Sequence, residues 1–233
     1  MIVAIHQPNY IPWLGYFAKI MECDFFVFLD DVQYPKESPA ARNYILDVNN
    51  TKALLSVPVK IGADAFQNYN KIAIDYSANW QHKHLNKIKN SYCKAPYFAD
   101  VFEGLEKLYK QKYENLAQLN LNIIFWILNM LDCSTQLYLS SNIEIENIGA
   151  SNERNVNLCK YFNANIYLSG TGAKKYNDEK LYQQNNIQLK YQNFKHPVYK
   201  QYSECFVQNL SILDILFFGG AQQTKNYLLN SFV

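Results

Sequence analysis

Charge is scarce in this chain. Only 18% of its 233 residues are Asp, Glu, Lys or Arg, and the formal net charge is +2. A dedicated nucleic-acid binder would carry a strong basic face, so no nucleic-acid partner is expected. Disorder is excluded as well, because hydrophobic residues make up 49% of the chain and disorder goes with low hydrophobicity and high net charge. Cysteine pairs are missing: Cys23, Cys93, Cys133, Cys159 and Cys205 are odd in number, scattered, and never spaced C-x-x-C. Free thiols in a reducing cytoplasm fit that pattern. No apolar run is long enough to span a bilayer; the best, Leu119–Leu131, is short and carries Asn120, Asn122 and Asn129. The first apolar run stops at His6, which is not a secretory signal pattern. These absences predict a soluble, cytoplasmic protein with no membrane partner. No internal repeat or low-complexity segment breaks the chain, and 233 residues suffice for one well-buried domain over 1–233.

The chain begins MIVAIHQPNYIPWLGYF. Ile2–Ile5 is a continuous apolar run that predicts a buried strand. Pro12 suits the first turn of a helix, and Trp13, Phe17 and Ile20 follow at helical spacing, with Lys19 and Glu22 on the other face. Phe25–Leu29 predicts a second strand. A polar loop follows, and then Tyr44–Val48 and Lys52–Val57 flank Asn49–Asn50–Thr51 as a hairpin. Ile72–Asp75 predicts a short strand. A helical subregion spans about 78–132, with helices over Ala78–Tyr92, Ala99–Lys112 and Glu114–Leu131. Gln136–Leu139 resumes the alternation, and Ser151 is placed to cap a helix ending near Phe162. Ile166–Leu168 and Ile187–Tyr191 predict strands around a polar helix over Ala173–Asn185. LSILDILFFGG closes as a helix stopped by glycine, with a short helix behind it. The predicted fold is α/β: a mainly parallel, Rossmann-like sheet flanked by helices, with a helical middle segment.

In such a sheet ligands bind beyond the carboxyl ends of the strands. His6, Gln7 and Asn9 fall there, ahead of a helix start that offers free backbone N–H groups to an anion. Asp30 and Asp31 end the second predicted strand, where carboxylates hold a metal or a sugar hydroxyl. Adjacent residues point to opposite sides of a strand, so one of the two is expected to face the site. Arg42–Asn43 follows in a chain with few arginines, the residue suited to bidentate phosphate contact. Trp80 and His84 share a helical face. His82 and His84 diverge on a helix and are not a metal pair, and no metal ligand set is assigned. Ser169–Gly172, between a predicted strand and helix, has the form of a phosphate-cradling turn. His196–Pro197 and Tyr199 follow the last predicted strand. His6, Asp30 or Asp31, the Ser169–Gly172 turn and His196 are expected to line a single cleft.

The stretches IHQPNYIPWLGYF, FVFLDDVQYPK followed by RN, W-x3-H with Y-x-KAPYF, YLSGTGAKKY, HPVY and LSILDILFFGG resemble, in order and over essentially the whole chain, the WbqC-like family of bacterial surface-polysaccharide (O-antigen) clusters. ESPAARN departs from the family's more usual run before Arg-Asn, which affects local contacts around Arg42. The resemblance implies an enzyme that acylates an amino sugar, nucleotide-linked, with an amino acid or similar acyl group; the alternatives are a nucleotide-sugar-binding protein without catalysis and a glycosyltransferase using Asp30–Asp31. The first strand, helix and second strand are also similar in topology to the ATP site of nucleotidyltransferases and pantothenate synthetase, with Trp13 and Tyr16 in place of that motif's two histidines. ATP with magnesium is then a candidate cofactor. The catalytic candidates are His6, Gln7, Asp30, Asp31 and His196. The binding candidates are Asn9, Tyr10, Trp13 and Gly15 in the opening; Gln33, Arg42 and Asn43 in the loop region; and Trp80 and His84 on a helix. Toward the end they are Ser169, Gly170, Gly172, Lys174, Tyr176 and Tyr199. The implied partners are a nucleotide-linked amino sugar and an acyl donor, with a homodimer as the candidate assembly.

Overall fold

The alternation of apolar runs and amphipathic segments resolves into one parallel sheet with a helical insertion. The computed structural model describes residues 1–35, 38–62 and 67–231. β1 (Ile2–His6) leads through α1 (Leu14–Met21) to β2 (Phe25–Phe28). β3 (Arg42–Leu46) and β4 (Lys52–Ser56) form an antiparallel hairpin, and β5 (Val59–Lys60) pairs antiparallel with β6 (Ala73–Ile74). The helical middle is α2 (Trp80–Tyr92), α3 (Phe98–Tyr109) and α4 (Leu116–Met130). β7 (Gln136–Leu139), α5 (Ser151–Tyr161), β8 (Ile166–Ser169), α6 (Glu179–Gln184), β9 (Gln188–Tyr191) and α7 (Ile212–Leu229) follow.

The main sheet runs β7-β2-β1-β8-β9, and every pair is parallel. In chain order this is the Rossmann-type sequence of strands 3-2-1-4-5, which reverses direction between β1 and β8 and opens a crevice there. The period-two alternation of β1 splits the core. Val3 and Ile5, with Val27 and Tyr167, pack beneath α5 and α6. Ala4, Phe26, Phe28 and Leu168 face a larger cluster holding α1, the three middle helices and α7.

Several boundaries differ from the sequence expectation. The first helix begins at Leu14, not Pro12; the carbonyl of Pro12 instead accepts from the Ile212 amide at 2.9 Å, and Trp13 bridges to Ser211. Trp13 is therefore not part of the buried helical stripe and is among the exposed large hydrophobics. The polar helix expected over Ala173–Asn185 is shorter, because Asp178 caps it by accepting from the Lys180 and Leu181 amides. Ser151 is the first residue of its helix and not the cap, which is Ala150. The glycine stop in LSILDILFFGG is real: Gly220, at φ 69°, breaks the helical path inside α7. No helix among the described residues is long and apolar enough to cross a membrane.

Candidate functional site at the sheet crossover

The β1–α1 connection passes directly over the crevice, and its shape is fixed by buried polar groups. Ile11 sits at φ 40°, a conformation costly for a β-branched residue, and Asn43 Nδ2 donates to its carbonyl at 2.7 Å. Asn120, fully buried on α4, donates to the carbonyls of Pro8 (2.9 Å) and Ala40 (2.7 Å) and meets the Tyr69 hydroxyl. Tyr69 donates in turn to Pro8 O. The loop is thus pinned from three other parts of the chain.

Between the carboxyl ends of β1 and β8 lies a cavity of about 290 Å3. His6, Tyr16 and Lys19 form one wall, and the Gly170–Thr171–Gly172 turn forms another. Trp13, Gly15, Gln192, Asn193 and Phe194 complete it. His6 and the glycine turn, far apart in sequence, therefore share one cavity. Beyond the immediate chain neighbours, no atom lies within 4 Å of where a side chain would begin on Gly170 or Gly172, so there is open space beside this turn. At Gly15 the reverse holds: the indole of Trp13 lies across it and would meet a Cβ at 2.2 Å. The Trp13 ring in turn meets Phe194 edge-on at 5.2 Å. Gln192 Nε2 ties the far side to α1 by donating to Gly15 O at 2.9 Å.

The electrostatics of the cavity follow from burial. His6 Nδ1 donates to Gln7 O at 2.9 Å, which leaves Nε2 as an acceptor. Burial, with Lys19 nearby, lowers the His6 pKa to about 3, so the ring is neutral. Lys19 is only 3% exposed; its Nζ donates to Ile5 O at 3.2 Å and lies 5.7 Å from the centre of the Phe26 ring. Burial brings its pKa down to about 8. No Asp or Glu lines the cavity among the described residues.

The profile of the WbqC-like protein family matches residues 7–226. The chain belongs to the WbqC-like family. It is 33% identical over 224 residues to the uncharacterized protein Rv1507c of Mycobacterium tuberculosis, covering 94% of each chain. No solved structure matches.

Of the candidates in this WbqC-like chain, His6, Trp13, Gly15, Gly170 and Gly172 line the cavity. The expected convergence of four strand-end groups is otherwise corrected. Asp30 and Asp31 follow β2 but form a cluster of their own with the segment after β7. Asp30 accepts from Ser141 N (3.0 Å) and Ser141 Oγ (2.6 Å), while Arg154 Nη2 donates to both oxygens of Asp31 at 2.6 Å. Ser140 Oγ touches both carboxylates, so both turn toward it rather than one toward the site. Burial alone would raise the Asp31 pKa, but donation from Arg154 and Ser140 outweighs it and holds the carboxyl below its usual range. Among the described residues no three His, Cys, Asp or Glu side chains are grouped to hold a metal. His196 donates from Nδ1 to Pro197 O at 2.8 Å and packs among Phe194, Tyr199 and Phe206; its burial in that aromatic group lowers its pKa. It does not line the cavity, and Tyr199 turns away to donate to Asp214 at 2.7 Å.

The other binding candidates hold the frame. Tyr10 is buried, bonded to His84 Nδ1 at 2.9 Å and to Tyr109, with Trp80 stacked edge-on to His84. Asn9 is buried in the same loop. Gln7 supplies its carbonyl to His6 and to the Tyr16 hydroxyl (3.0 Å), and its Nε2 reaches Gln33 O at 3.4 Å. Gln33 bridges to Asn68, and Arg42 opens β3 opposite Ser56. Ser169 Oγ accepts from Asn177 at 3.0 Å, Lys174 lies over the Tyr191 ring at 5.1 Å, and Tyr176 is exposed. Lys19 is the cavity residue that the sequence hid. It reads as solvent-facing on α1, yet every residue from Leu14 to Ile20 is buried, and the Lys19 ammonium turns to Ile5 O of β1 and the Phe26 ring of β2.

A pH test follows from the embedded histidines. Burial lowers His84 to about 4 and His6 to about 3, against an unfolded value of roughly 6.5. The unfolded chain then binds protons that the folded chain refuses, so stability is full above pH 6.5 and is lost as pH falls toward the folded values. Each histidine contributes a slope of about 1.4 kcal/mol per pH unit in that window. Urea unfolding of His84→Gln at pH 7, 6 and 5 should show a shallower fall than wild type by about that amount. Equal slopes would mean that His84 is not held neutral.

Proposed function

We propose that the protein is a cytoplasmic enzyme of bacterial surface-glycan precursor synthesis that acylates the amino group of a nucleotide-linked amino sugar. The carrying observation is the crossover cavity, where an open glycine turn faces a neutral histidine and no carboxylate competes for the ligand. Backbone amides at such a turn suit a phosphate group. At about 290 Å3 the cavity lies near the lower limit of small-molecule sites, roughly 300 Å3, which suits a sugar with its phosphates while the base rests at the mouth against Trp13 and Phe194. His6 Nε2, a fixed acceptor, is suited to orient the amine through its N–H as the nitrogen attacks the acyl carbon. The new bond is C–N; the donor's acyl bond breaks with its electron pair going to the leaving group, which departs carrying the proton that the amine gives up.

The test is thermal unfolding with a nucleoside diphosphate-linked amino sugar, in wild type and in Gly170→Leu. At a hundredfold excess over the dissociation constant the ligand should stabilise wild type by about 2.7 kcal/mol. Gly170→Leu should fold normally, since nothing crowds the position, but should lose the shift. A ligand shift that survives in Gly170→Leu would take the ligand out of this cavity. A parallel titration with ATP and magnesium asks whether the acyl donor is activated on the same protein. Retained binding without turnover in His6→Ala would separate this reading from a purely sugar-binding role, which the aromatic pair Trp13–Phe194 otherwise suits.

A further inference from the structure

We propose that Lys19 is the cationic receptor of the crossover cavity for a phosphate or diphosphate group. The inference rests on the reading of the cavity as a phosphate-ligand site and names the side chain that meets the charge. Lys19 lines the cavity and is 3% exposed, so little water solvates it. An ammonium carries three donors, and among the described residues one acceptor engages it, Ile5 O at 3.2 Å. It belongs to none of the ion pairs among the described residues.

The described residues around it supply no anion. From β1 comes the neutral His6. On its own helix is Tyr16, whose hydroxyl donates to Gln7 O, and just after that helix is Cys23, whose thiol burial pushes up and keeps protonated. Beyond β9 stand the amides Gln192 and Asn193, and β2 presents the Phe26 ring. Lys190 and Glu22, nearer the solvent, pair with each other at 3.1 Å.

A buried ammonium without an anion is unfavourable, and the protein relieves it by letting the amine lose its proton near pH 8. A bound phosphate would restore the ammonium. Above pH 8 the ligand must therefore bring a proton in with it, and its affinity must fall as pH rises toward the ordinary lysine value. Arginine in the same place would bind without that exchange, because it never deprotonates.

Calorimetric titration at pH 9, in buffers of different ionisation enthalpy, reads this directly. Uridine diphosphate and inorganic phosphate are the two probes, to separate a nucleotide requirement from a simple anion site. We expect wild type to take up close to one proton per bound probe. Lys19→Met, similar in length and suited to a buried position, should bind at least tenfold more weakly with no uptake. Lys19→Arg should recover affinity, again with no uptake. Wild-type binding without proton uptake, undiminished binding by Lys19→Met, or no binding of either probe would overturn the proposal. Failure of the enzymatic reading is distinguishable. Phosphate bound through Lys19 with no stabilisation by nucleotide-linked sugars sinks that reading alone. Nucleotide-sugar binding indifferent to Lys19→Met sinks the Lys19 proposal alone.

Discussion

Replacing Asp214 by alanine should lower the unfolding free energy by about 3–5 kcal/mol, the sum of several buried donors left unsatisfied. Asp214 stands in the first turn of α7 and is fully buried. Its carboxylate accepts from the Tyr92 hydroxyl at 2.8 Å, the Tyr199 hydroxyl at 2.7 Å and Gln201 Nε2 at 2.7 Å. Burial pushes its pKa up, and the three donors oppose that shift. Alanine would strand three donors away from water, each at a cost of roughly 1–3 kcal/mol, partly relieved by local movement. Tyr92 also accepts from the Leu46 amide at 2.8 Å, so the damage should spread from α2 into β3. Asp214→Asn keeps the shape and one acceptor oxygen and should cost markedly less. Urea unfolding of both variants is the measurement. A loss under about 1 kcal/mol for alanine, the scale of a single exposed hydrogen bond, would mean that water already reaches the cluster.

Asn120→Ala should cost about 2–4 kcal/mol, from a buried polar knot that loses its donor, and should also loosen the loop over the cavity. Without Asn120, the carbonyls of Pro8 and Ala40 lose a partner, and the chain from Pro8 to Ile11 loses its anchor to α4. Amide exchange at Tyr10, whose N–H donates to Pro39 O at 3.0 Å, reports on that loop. Its protection should fall by more than that of Ala4 in the middle of β1. Equal loss at both positions would indicate global destabilisation, and unchanged protection at Tyr10 would mean that Tyr69 alone holds the loop.

The fold was legible because its signals are local. Ile2–Ile5, Phe25–Leu29, Gln136–Leu139 and Ile166–Leu168 are apolar runs at strand length, and amphipathic segments between them leave few arrangements besides a parallel sheet. His6 and the Gly170–Gly172 turn were legible as site candidates for the same reason, since strand ends on one edge of such a sheet face one crevice. What stayed hidden was which strand-end groups already had partners. Asp30 and Asp31 carry no local sign that Ser140, Ser141 and Arg154, more than a hundred positions later, would occupy them. Lys19 was misread because the polar face of a single helix carries no mark of the strands β1 and β2 that it packs against. Tyr10 and His84 look like ligand groups in isolation, and each instead satisfies the other inside the core.

The register of β1 with β8 couples Ile2 to Ile166. A ribosome therefore releases the first wall of the cavity long before it makes the second, and the helical insertion between β2 and β7 must settle in the interval. Contacts of such sequence separation form slowly, so the nascent protein passes through a period in which His6 and Lys19 face an unfinished sheet edge. A chain arrested before residue 166 would retain the opening motif and have no pocket at all, while its bare β1 edge would be open to strangers.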